Sequence, residues 1–132
     1  MVRSCGTCCV SDLDIPGAAL SDRGAADIAA AALNRLTSPG SGGEPRGFWI
    51  HLDGDVINPT VMAAVDSPEP GGPTIKELED LLTPIVRHPR ALGLELTIYD
   101  PGLDPDRSCA TRLLSLLENV LLGVRSLDGR AA

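Results

Sequence analysis

Two carboxylates one residue apart, Asp53 and Asp55, follow a short apolar and aromatic run, Phe48-Trp49-Ile50-His51-Leu52, and precede a long Pro/Gly-rich loop that ends in Pro70-Gly71-Gly72. Carboxylate oxygens are hard donors, so a pair at this spacing suits a hard divalent cation. On a strand, residues two apart share a face, so both carboxylates converge on one point if the extended backbone persists to Asp55. That point lies beyond the carboxyl end of the strand, where open α/β sheets bind ligands. His51, two residues before Asp53, falls on the same face and is expected to orient a ligand or to pack rather than to coordinate. The competing reading makes Asp53 and Asp55 two turn-capping aspartates, a common use of this residue type. The ordered motif as a whole favours metal ligation.

The elements that must hold these groups alternate between strand and helix. Phe48 to Leu52 reads as a strand covered on both faces, because it is a short apolar run bounded by turn residues. Pro59 to Pro73 is expected to be irregular. Thr74-x-x-Glu77 is a capping box, and Leu78, Leu81, Leu82, Ile85 and Val86 form one apolar stripe of the helix behind it, which Pro89 ends. Ala91 to Tyr99 reads as a second buried strand, closed by an Asp100-Pro101-Gly102 turn. Glu95 on that strand needs a partner, since an unpaired buried carboxylate is costly. Either Arg87 or Arg90 pairs with it, or it lies near the metal pocket. Asp104 caps a last helix, with Pro105 at its first position, that runs to about Val124.

Before the Asp pair, Asp22 to Leu36 is Ala-rich and helical, with Ser21 as its N-cap. Thr37 to Gly47 is a flexible link, Thr7 to Val10 a short strand, and residues 125–132 a disordered tail. His88, at a helix end, is expected at the surface, where the helix dipole favours it. Strand, helix, strand, helix with short links is the βαβ signature of a right-handed parallel sheet. One domain over residues 1–124 accounts for the whole pattern.

The segment Asp53-Gly54-Asp55-Val56-Ile57-Asn58-Pro59, followed by Asp66-Ser67-Pro68-Glu69-Pro70-Gly71-Gly72-Pro73-Thr74 and then by Gly93-Leu94-Glu95, resembles the second metal motif of the arginase/agmatinase (ureohydrolase) family. The resemblance runs from about Ser11 to Val124. It implies a three-layer αβα fold around a parallel sheet, here a partial sheet of two or three strands with three helices. The activity it implies is hydrolysis of C–N bonds in linear amidino compounds, guanidino or formimino, by two Mn2+ ions. On that pattern Asp53 is the carboxylate bridging both ions and Asp55 the one chelating the second, with His51 and Glu95 in supporting positions and no catalytic residue assigned.

Three departures stand out. Nothing matches the family's earlier Gly-Asp-His and Asp-Ala-His-x-Asp motifs, or the catalytic His that follows them in arginases. Asn58 stands where the family usually has Asp. Ile98 stands where its arginases have Glu, so the usual guanidinium contact is in question. The chain is therefore expected to correspond to the C-terminal third of such an enzyme and to be incomplete alone. The alternative is a non-catalytic α/β remnant or interaction module.

Composition narrows the partners. A net charge of −7 without a basic cluster argues against nucleic acid and anionic membranes, which need a positive face. No apolar run approaches the roughly 18 residues of a membrane span, and Met1 to Cys5 lacks a signal-peptide core, so the expected location is the cytoplasm. Cys5, Cys8 and Cys9 could suggest a zinc or redox half-site, but only Cys109 remains as a fourth thiol, and reduced, packed cysteines are the better reading. A partial sheet leaves apolar edges, so homo-oligomers or association with a complementary chain are expected.

Overall fold

The computed structural model describes residues 2–4 for the backbone, and residues 23–39, 47–68 and 70–123. The Cys5/Cys8/Cys9 cluster, the strand expected at Thr7 to Val10, the Ser21 cap and the tail 125–132 lie outside the described residues. Three strands and three helices are described: β1 (Val2–Ser4), α1 (Ala25–Thr37), β2 (Phe48–Asp53), α2 (Ile75–Val86), β3 (Ala91–Thr97) and α3 (Ser108–Leu122). Helix α1 starts three residues later than the sequence suggests. Its N-cap is Gly24, at φ 82°, with no side-chain cap.

The sheet has the order β1-β2-β3. Strands β2 and β3 are parallel, joined by α2 as the βαβ pattern requires, with Ile50 beside Leu94, His51 beside Glu95 and Asp53 beside Thr97. The short β1 adds an antiparallel edge, which the all-parallel expectation missed.

Strand β2 alternates. Phe48, Ile50 and Leu52 are buried with Leu78, Leu82 and Ile85 of α2 and Leu113, Leu116 and Val120 of α3 in one core cluster. Trp49, expected to be covered, is 42% exposed. Its indole lies over Gly93, where a Cβ would come within 2.4 Å of the ring. One face of β2 thus packs against the helices, while Trp49, His51 and Asp53 stay on the partly open other face. A core of this kind gains about 1.5–3 kcal/mol from each fully buried large aliphatic side chain, so Leu and Ile compensate for scarce aromatics.

Helix α2 opens on the capping box: Glu77 N–H donates to Thr74 Oγ1 at 3.3 Å and Thr74 N–H to Glu77 Oε2 at 2.8 Å. Pro84 lies inside this helix, two residues before its end at Val86. The ring removes one backbone donor near the last turn, where few rungs remain to lose. His88 is less a surface residue than expected, because its ring packs against Phe48 with centroids 5.7 Å apart and its Nδ1 accepts from Arg90 N–H.

Strand β3 ends at Thr97 rather than Tyr99, because Ile98 turns to φ 67°, a left-handed conformation rare for a β-branched residue. Asp104 does cap α3, but from farther back than the first-turn geometry predicts. Its Oδ1 accepts from Cys109 N–H at 3.1 Å and its Oδ2 from Ala110 N–H at 2.8 Å, so Pro105 to Arg107 form a turn and the helix begins at Ser108. Leu114 and Leu121 of this helix are exposed, whereas Leu113, Leu116 and Val120 are buried. The helix stops at Leu122, where Gly123 supplies a left-handed C-cap.

Candidate metal-binding carboxylates at the strand ends

Strand β2 delivers Asp53 as its last residue, and the chain then tightens into a 3-10 turn over Gly54–Val56 with Asp55 at its centre. Extended geometry therefore does not reach Asp55, and the two carboxylates are set apart by a turn instead of sharing a pleat. The loop that follows is built against this turn. Gly71 takes φ 85°, and a Cβ on Gly72 would lie 2.2 Å from the Val56 carbonyl oxygen. Asn58 N–H donates to Pro73 O, while Asn58 Oδ1 accepts from Thr60 N–H at 3.0 Å and from the Thr60 hydroxyl at 2.7 Å. The Pro-Gly-Gly segment has a steric reason: only glycine fits where the loop backbone presses on residues 56–58.

Parallel pairing places the polar groups of the open face side by side. His51 contacts Glu95 Oε1 through Nδ1 at 2.6 Å and Asp53 Oδ1 through Nε2 at 2.8 Å. A doubly protonated imidazole can donate to both carboxylates at once. Its pKa is raised, first by the hydrogen bond to Glu95, against a desolvation that lowers it. Glu95 is thereby partnered by His51, and its side chain is 52% exposed where a buried one was expected. His51 thus lies between the two carboxylates of the open face.

Thr97, which sequence reasoning passed over, completes the group. Its hydroxyl donates to Asp53 Oδ1 and lies 3.4 Å from His51 Nε2. Asp53 is held below the ordinary carboxylate range, foremost by the Thr97 hydrogen bond and then by His51, with partial burial opposing them. Only the β2/β3 register puts Thr97 next to Asp53, and one sequence does not state a register.

With this geometry in hand, the relatives of the chain become informative. The family model described as the arginase family matches residues 15–123. The chain belongs to the arginase family. An N(1)-aminopropylagmatine ureohydrolase of Thermus thermophilus is 32% identical over 54 residues, which cover 41% of this chain and 18% of that enzyme. Among solved structures, arginase from Bacillus subtilis superposes with a TM-score of 0.68 at 21% identity, over 82% of this chain and 35% of that one. Trypanosoma cruzi formiminoglutamase, solved with Mn2+, gives a TM-score of 0.62 at 18% identity over 80% of this chain and 34% of that one. The chain thus spans about a third of the length of these structures. The arginase-like α/β fold expected from the motifs is the fold observed.

The family's metal can be weighed against the residues present. Asp53 and Asp55 are hard oxygen donors, and Asp53 is kept ionised at the carboxyl end of its strand, which suits a divalent ion. No group of three or more His, Cys, Asp and Glu side chains among the described residues is arranged to hold one. His51 is already engaged at both nitrogens. The donor set therefore fits a hard cation in type, while the described residues fall short of a complete site in number.

Proposed function

We propose that the chain contributes to a metal-dependent hydrolase of linear amidino C–N bonds, with Asp53 and Asp55 as two of the carboxylate donors for a binuclear Mn2+ site. The single observation that supports this most is the position of Asp53, the last residue of a parallel strand inside the segment that matches the arginase family. Bound Mn2+ would supply a polarised, readily deprotonated water. The residues present would hold and orient the ions, with His51 and Glu95 fixing Asp53. Guanidino or formimino compounds are the substrate class, the location is cytoplasmic, and the chain associates with itself or with a complementary chain. No helix among the described residues is long and apolar enough to cross a membrane.

The test is a Mn2+ titration. The chain alone should bind weakly and release no urea from arginine or agmatine, because two carboxylates leave most of the coordination shell to water. Asp53→Ala together with Asp55→Ala should weaken Mn2+ binding at least tenfold; unchanged affinity would overturn the assignment. The small number of arranged donors favours a second reading, a non-catalytic α/β module of the same family. Robust urea release by the purified chain would eliminate that reading and the expectation of incompleteness together.

A further inference from the structure

The two edges of the described sheet are unlike. Strand β1 closes one side with three residues, whereas β3 closes the other with seven, Ala91 to Thr97, and no described strand lies beyond it. A long edge is normally blunted by Lys or Pro, because its backbone groups are a template for another strand. The run Ala-Leu-Gly-Leu-Glu-Leu-Thr carries neither, and its one charge, Glu95, stands on the open face of the sheet beside His51. Leu92, near the start of the strand, is 57% exposed.

This edge is complementary to itself in the antiparallel sense. Turned about Leu94, its middle residue, β3 sets Leu92 against Leu96 of a second copy, and Glu95 against Gly93 of that copy. Opposite residues share a face, so leucines meet leucines on the helix side, and the two Glu95 carboxylates do not oppose each other on the other side. The ends agree as well. Arg87 and Arg90 lie at the entry to β3 and Asp100 just past its exit. Antiparallel pairing brings the basic entry of each copy to the acidic exit of the other, whereas parallel pairing would join like charges.

We propose that the outer edge of β3 is a self-association surface, on which a second copy of this chain pairs its own β3 antiparallel, centred on Leu94, and so doubles the three-stranded sheet. The inference rests on the proposed association of the chain with itself and not on the assignment of Asp53 and Asp55 as cation donors. The net charge of −7 on each copy is largely screened beyond about 8 Å at physiological salt, which leaves the charges at the strand ends to set the orientation. A contact one strand wide is small beside the about 1,200–2,000 Å² of a stable interface, so the dimer is expected to dissociate in the range of roughly 10–100 μM.

The experiment is sedimentation velocity on the full chain at physiological salt, from well below to well above that range. The wild-type chain should pass from monomer to dimer. Leu92→Lys, a charge placed on the edge at a site already exposed, should weaken the dimer roughly tenfold or more, while Leu121→Lys, at a similarly exposed site on α3, should leave it unchanged. Arg90→Glu and Asp100→Arg should each weaken the dimer alone and should dimerise when mixed, because the mixture restores opposite charges at both ends. A readout on unsubstituted protein is independent of how any variant folds: raising the concentration should slow amide exchange most strongly in residues 91–97. A dimer that Leu92→Lys leaves intact, or protection that falls on α3 instead, would overturn the proposal. A chain that stays monomeric would overturn it too, and would leave association with a complementary chain as the surviving alternative.

Discussion

Asp53 and Asp104 are two carboxylates with depressed pKa values in the same small fold, and they differ in how many oxygens the protein uses. Asp104 is 4% exposed. Its Oδ1 takes the Cys109 amide, and its Oδ2 takes the Ala110 amide and the Tyr99 hydroxyl at 3.0 Å. Asp53 is about one-third exposed, and both of its described donors converge on Oδ1. A buried carboxylate must be fully partnered, or its desolvation is left uncompensated. Asp104 meets that demand and ties the end of β3 to the start of α3. Asp53, at the open end of its strand, takes both of its described donors on one oxygen and leaves solvent access to the other side of the carboxylate.

The sharpest way to break this contrast is to delete each carboxylate in turn. Asp104→Ala should strip two α3 amides and the Tyr99 hydroxyl of their acceptor, lowering the melting temperature markedly. Amide exchange at Cys109 and Ala110 should quicken by roughly 10–100-fold, since unmet buried donors carry the full desolvation penalty. Asp53→Ala should change stability by no more than about 1 kcal/mol, because its contacts are partly screened by solvent. Equal losses from the two substitutions, measured by urea unfolding, would show that Asp53 is as structural as Asp104 and remove the contrast.

The sequence made these two residues legible to different degrees. The helix α2 could be read residue by residue, because capping boxes and 3.6-residue periodicity are local and Thr74, Glu77, Leu78, Leu82 and Ile85 lie where that reading puts them. Asp53 was singled out by the ordered motif around it, and the structure places it at the end of β2. Asp104 was recognised as a cap, but the Pro105-Asp106-Arg107 turn delays the helix to Ser108, and Arg107 at φ 59° is a backbone choice that no propensity signals. Thr97 and the His51–Glu95 pair were not legible as contacts, because they arise from register between strands 44 residues apart in sequence. Periodicity also failed for β2. A continuous apolar run suggests cover on both faces, whereas Trp49 packs on Gly93 and stays half open.

A smaller effect sharpens the contrast further, through acid. Both carboxylates have folded-state pKa values below their ordinary range. For Asp104, burial pushes upward but is outweighed by the hydrogen bonds from Ala110, Cys109 and Tyr99. For Asp53 the Thr97 hydrogen bond leads, with burial opposing and His51 adding to it. A depressed carboxylate contributes stability that is present above its unfolded value of about 3.9 and is lost as pH falls through the folded value. Stability should therefore decline on acidification below about pH 4, and Asp104→Asn should flatten that decline more than Asp53→Asn. The carboxamide at 104 places a donor against the amides of α3, whereas at 53 solvent remains at hand to re-pair what the substitution frees. Urea midpoints measured stepwise through the acid range decide it: a steeper flattening from Asp53→Asn would mean that the open-face carboxylate, not the buried cap, governs the acid stability of the fold.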